Sequence, residues 1–157
     1  MCCPGGCGGS QSAQRPAATT AFGQAYSTVE TRATGYVGGN NLPVQFNTFT
    51  PLRRVGQGEN SLVVQRSGMY EISYNASLSH QFGNTILSVF VAEDGTPIPA
   101  TRSEWWAMPT AHVDAASKTA LAYLESGTVL TLLVHAGQSG ELIVSPFASL
   151  VIRRIDN

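Results

Sequence analysis

Thiol chemistry in this chain is confined to its first seven residues. Cys2, Cys3 and Cys7 stand in "MCCPGGCGGS", and no cysteine follows them. The C-C-x-x-x-C spacing lacks the C-x-x-C pair of a zinc site, and three thiolates leave a tetrahedral zinc one ligand short. An odd number of cysteines on an exposed, glycine-rich segment suits pairing between chains better than a staple within one. Gly5, Gly6, Gly8 and Gly9 also let the backbone lie close against another subunit. Intersubunit disulfides through Cys2, Cys3 and Cys7 are therefore expected. Unpaired reactive thiols, a metal and lipidation stay open beside them.

The other chemistry-bearing side chains are dispersed. His80, His112 and His135 are far apart in sequence, none at metal-ligand spacing with another, and they are expected to be solvated or hydrogen-bonded sheet residues. Trp105 and Trp106 are adjacent in "RSEWWAMP". Neighbours on an extended segment point to opposite sides, so one should pack inward and the other face out. The pair is expected to fill core and interface, or to stack a sugar ring. Gly-x-Ser-x-Gly, His-Glu-x-x-His and a phosphate-binding glycine loop are all missing from the sequence. Glu93 and Asp94 precede Gly95 as a turn requires, and Asn75-Ala76-Ser77 matches a glycosylation acceptor only by chance in mid-strand. No catalytic residue, metal ligand or cofactor is expected, and the chain does not read as an enzyme.

The elements that would position these residues divide in two. Residues 1–24 are Gly, Ser, Ala, Gln, Thr and Cys with Pro4 and Pro16, too poor in apolar surface to offset their ordering entropy, and read as a flexible connector. Glycine does not recur every third residue, so the segment is not collagen-like. Residues 25–157 read as a β head. In "GMYEISYNASLSH", Tyr70, Ile72, Tyr74, Ala76 and Leu78 alternate with polar residues, which predicts a half-buried strand. Further strands are predicted near 25–32, 42–49, 61–68, 85–92, 117–124, 128–136 and 147–155, with Gly137–Gly140 as a separator. Over 113–124 the Ala- and Leu-rich composition lets a helix compete, but flanking breakers favour strand. Eight or so short antiparallel strands with turns between them describe an all-β sandwich or jelly roll.

Composition narrows the partners. Charged residues are 12% of the chain, the formal net charge is -1, and Lys118 is the single lysine beside eight arginines. Such a surface has no field to steer nucleic acid, and its low charge favours self-association. No stretch approaches the ~20 apolar residues of a membrane span. The N-terminus has no basic region followed by an apolar run, so neither a signal peptide nor membrane insertion is expected.

Several stretches then follow one another in a distinctive order: "GYVGGNNLPVQFNTF", "LVVQRSGMYEISYNASL", "LSVFVAEDGTPIPAT", "LESGTVLTLLV" and "ASLVIRRI". This series, over about residues 35–156, resembles the C-terminal head of the BclA-type collagen-like spore glycoproteins, within the wider C1q and tumour-necrosis-factor-like (TNF-like) jelly rolls. Its markers are Phe46-Asn47, the Ser67-Gly68-x-Tyr70-x-Ile72 opening and the run from Val91 to Pro99. The Gly-X-Y stalk that precedes such heads is replaced here by the Cys-Gly connector.

The resemblance implies a C1q/TNF-like jelly roll of about 8–10 strands that forms homotrimers at a bacterial spore or cell surface, in an exosporium or endospore appendage, without enzyme chemistry. The chain is then expected to be a structural subunit, linked into a fibre or surface layer by Cys2, Cys3 and Cys7, which oxidise once the mother cell lyses. Its partners would be itself and a spore-surface anchor protein. The alternative is a trimeric tip that binds a carbohydrate or host protein, with Trp105 and Trp106 as contacts.

Overall fold

The computed structural model describes residues 20–81, 83–108 and 113–156. The first half of the chain supplies β1 (Phe22–Tyr26), β2 (Thr31–Tyr36), β3 (Asn41–Pro43), β4 (Thr48–Arg53), β5 (Val55–Gly58), β6 (Ser61–Val64) and β7 (Gly68–Gln81). The second half supplies β8 (Thr85–Glu93), β9 (Thr96–Pro97), β10 (Ser103–Ala107), β11 (Asp114–Leu124), β12 (Val129–Ala136), β13 (Gly140–Val144) and β14 (Ser149–Arg154), with a 3-10 turn at Pro99–Thr101. They form two antiparallel sheets. The first runs β2-β13-β7-β14-β1-β4 with β11 beside β7, and the second runs β10-β8-β12-β6-β5 with β3 beside β12 and β9 beside β8.

Alternation along β7 organises the sandwich. Tyr70, Ile72, Tyr74, Ala76 and Leu78 are buried, while Met69, Asn75 and Gln81 are exposed. The buried set packs with Leu87, Val89 and Val91 of β8 and Leu130, Leu132 and Val134 of β12 in one core. Each such apolar side chain taken out of water contributes about 1.5–3 kcal/mol. A satellite cluster of Phe90, Ala92 and Leu133 lies apart from it, and the Arg102 guanidinium stands 5.4 Å from the centre of the Phe90 ring.

One edge of β7 takes β11 over its whole eleven-residue length, so the segment where helix competed is a strand. Inward Ala116 and Leu124 are buried there while Leu121 and Tyr123 face out. The other edge takes β14 and then β13, with Ser149 opposite Asn75 and Val144 opposite Leu78. Two extra residues in the 145–148 break absorb that shift in register. Pro146 has no N–H for the ladder, and Phe147 takes a φ of 73°. On the far side, β1 and β2 are broken at the same level. The Phe147 N–H donates to the Ser27 carbonyl at 2.7 Å and the Ser27 N–H to the Ala148 carbonyl at 2.9 Å, which closes the gap.

Several expected boundaries shift. Phe22–Gln24, assigned to the connector by composition, run in β1. The strand expected at 25–32 is two half-strands, and that expected at 42–49 is β3 and β4 on different sheets. Gly140, taken as a separator, opens β13. The strand total exceeds eight to ten because β1/β2 and β13/β14 are broken pairs and β3 and β9 are short edge pieces.

Candidate self-association surface

Both sheets end on the same side of the sandwich. Among the described residues β10 pairs only with β8, and β11 only with β7. The two edges are tied together sparsely: Lys118 Nζ donates to the Arg102 carbonyl at 2.6 Å, and the Tyr74 hydroxyl lies 2.7 Å from Ser103 Oγ. Burial holds the Tyr74 phenol above its ordinary pKa, so it stays protonated and able to donate. Unpaired edges usually carry charge to discourage pairing. Here Glu104, Asp114 and inward-phase Lys118 supply a few such charges, and exposed apolar residues stand beside them. Of the twelve exposed large apolar side chains among the described residues, Met69, Ile86, Trp106, Met108, Val113, Leu121 and Tyr123 border this side.

The outward face of the first sheet continues from that edge in ordered rows. One row reads Leu121, Glu71, Arg153, Phe22, Arg53 across β11, β7, β14, β1 and β4. Its Glu71–Arg153 pair spans 3.1 Å. The row above places Thr119 beside Ser73, their hydroxyls 2.9 Å apart. Next come Ser117, Asn75, Ser149 and Tyr26, where Asn75 Nδ2 donates to Ser149 Oγ at 2.8 Å. A shallow depression of about 270 Å³ opens there, lined by Gln24, Tyr26, Asn75, Phe147 and Ser149. No charged side chain lines it.

The two tryptophans separate as alternation requires. Trp105 packs against the core with its indole N–H buried and without a hydrogen-bond partner, while Trp106 is 61% exposed opposite Ile86. His80 is buried on β7, His135 Nδ1 lies 3.1 Å from Asn41 Oδ1, and His112 lies outside the described residues. Cys2, Cys3 and Cys7 lie outside them as well. Among the described residues no three His, Cys, Asp or Glu side chains are placed to hold a metal ion, and no helix is long and apolar enough to cross a membrane.

Solved structures decide the architecture. Murine APRIL at pH 5.0 superposes with a TM-score of 0.62 at 13% identity, over 87% of this chain and 99% of that one. Eiger TNF from S. frugiperda gives 0.58 at 9% identity, over 88% and 94%. The fold is a TNF-like jelly roll. Murine APRIL at pH 8.5 agrees, with a TM-score of 0.60 at 10% identity. No protein-family model matches the chain, and no curated protein matches it in sequence.

Within this TNF-like jelly roll, the ends of the strands orient the surface. Ala21 accepts from the Arg154 N–H beside the start of β7, so the N-terminal segment joins at that end. Trp106 stands at the opposite end, where Ala107 is paired with Thr85. Sequence reasoning singled out the tryptophans but missed Leu121, Tyr123, Met69 and Phe147. The first two were legible as the outward phase of β11. Met69 carried the same signal on β7. Phe147 had none, because only the broken ladder turns it outward.

Proposed function

We propose that the chain is a structural subunit of a bacterial spore or cell-surface assembly. It self-associates as a homotrimer through the open β10/β11 side, and Cys2, Cys3 and Cys7 then link trimers into a fibre or layer. The observation that carries this reading is the concentration of exposed apolar residues along two unpaired sheet edges on a chain of low net charge. Each of Leu121, Tyr123 and Trp106 that leaves water on association contributes about 1.5–3 kcal/mol, and few charges oppose the approach. The ordered motifs resembling BclA-type heads support the spore or cell-surface setting. The connector supports polymerisation: tethering raises the effective concentration of thiols between neighbours, and their oxidation makes the joint long-lived.

Exposed Trp106 at the end remote from the connector supports a second reading, a tip that binds a carbohydrate or host protein.

Negative-stain electron microscopy of the full chain beside a version lacking residues 1–19 tests the first. Filaments that resist denaturant, dissolve in reductant and are lost on truncation are expected. Identical small particles from both versions, with or without reductant, would refute the linking role.

A further inference from the structure

The depression on the outward face of the first sheet is bordered by an aromatic side chain with no place to pack in its own copy. Phe147 is 73% exposed although its backbone sits at φ 73°, where bulky side chains are rare. The two hydrogen bonds to Ser27 hold it there. Its ring and that of Tyr26 line a floor of Gln24, Asn75 and Ser149.

We infer that Trp106 of a second copy fills this depression. The inference rests on the proposed self-association and names the contact through which it runs. Trp106 is the largest exposed apolar side chain on the open edge. A buried indole N–H usually finds an acceptor, and two of the lining residues, Gln24 and Asn75, carry side-chain carbonyls able to accept it. The socket is uncharged, so the ring enters without desolvating an ion.

Socket and tryptophan lie on different patches of one copy, which makes the contact head-to-tail, and such contacts close into a ring only if both lie at similar heights along the axis. The Tyr74–Ser103 contact ties the start of β10 to the level of Asn75, and Trp106 is three residues further on, so a closed ring requires the copies to tilt enough to take up an offset of about 10 Å along the strands. Four strands at about 4.8 Å spacing and about 30 Å length present on the order of 600 Å² of sheet face, short of the roughly 800 Å² per partner of a standard interface but above the roughly 500 Å² per partner of a small specific one.

The test places the photoreactive residue p-benzoylphenylalanine at position 106 of the full chain, in reductant, in an equal mixture of light and isotope-heavy copies. Irradiation should join position 106 to peptides containing Tyr26 or Phe147–Ser149 of the other isotope. Trp106→Ser, on an exposed site that does not threaten folding, and Phe147→Asp should each weaken association by at least about tenfold in sedimentation equilibrium. If copies associate normally in Trp106→Ser and crosslinks fall elsewhere, the socket assignment is overturned while self-association stands. A wild-type protein that sediments as single copies at all concentrations overturns both. Loss of glycan-array binding in Trp106→Ser at unchanged mass would transfer Trp106 to ligand recognition and overturn the socket.

Discussion

The Tyr74 hydroxyl crosses the sandwich from central β7 to lie 2.7 Å from Ser103 Oγ and 3.0 Å from the Val89 carbonyl. One buried phenol thereby anchors the first residue of edge strand β10, whose ladder with β8 carries both tryptophans. Removing the hydroxyl in Tyr74→Phe should cost about 0.5–1.5 kcal/mol, the net worth of a typical intramolecular hydrogen bond. The denaturant midpoint should fall at constant slope. No change in midpoint would mean that β10 is held by its ladder with β8 alone.

Gly38 depends on the absence of a side chain. A Cβ there would stand 2.7 Å from the Gly137 carbonyl oxygen and 2.7 Å from the Gln138 carbonyl carbon, both backbone atoms with little room to retreat. Gly38→Ala is expected to destabilise by about 1–3 kcal/mol, seen as a lower melting temperature. Gly39→Ala is the control for backbone strain without crowding: its φ is 89°, but nothing lies within 4 Å of the added Cβ.

Leu121 and Tyr123 are expected to matter between copies and not within one. Both face outward from β11 at more than half exposure, so Leu121→Glu and Tyr123→Glu should leave the melting of an isolated head close to unchanged. Each should shift the sedimenting species of a 1–19-deleted chain from trimer to single copy. Trimers that survive both substitutions would move the interface away from the β11–β7 face.

Acid should loosen the end of the head where the N-terminal segment joins. Desolvation pushes the Asp156 carboxyl upward, but a hydrogen bond from the Met69 backbone and the charge of Arg154, 2.7 Å away, outweigh it and hold the pKa below its ordinary value. A carboxylate depressed in the folded state contributes stability above its unfolded pKa, about 3.9, and loses it as pH falls through the folded value. Asp156→Asn should therefore melt earlier than wild type at pH 6–7, with the gap closing below about pH 4. A gap that persists at pH 3 would show that the side chain acts through packing instead.

Much of this architecture is legible in the chain itself. Period-two alternation from Tyr70 to Leu78 is enough to place the central strand and its buried face, because a slip of one residue would turn every aromatic and aliphatic side chain there into water. The same rule puts one of Trp105 and Trp106 inward and the other outward, and the structure decides that Trp105 is the inward one. Short alternating strands and turn residues such as Asp94-Gly95 give the all-β class, and the ordered motifs between Gly35 and Ile155 carry the resemblance to a jelly roll. Confinement of Cys2, Cys3 and Cys7 to the first seven residues likewise requires no structure to be noticed.

Tertiary structure alone decided which strands stay unpaired. Local propensity predicts a strand near 117–124 and leaves 103–107 between predicted strands, yet edge or centre is settled by long-range pairing, and only that pairing brings Leu121, Tyr123 and Trp106 onto the two edge strands. The depression arises the same way. Its five lining residues come from β1, β7, β14 and the 145–148 break, up to 125 positions apart in the chain. They meet because β14 slips two places against β7 and Ser27 closes the gap. A register set between distant strands leaves no local mark in the sequence.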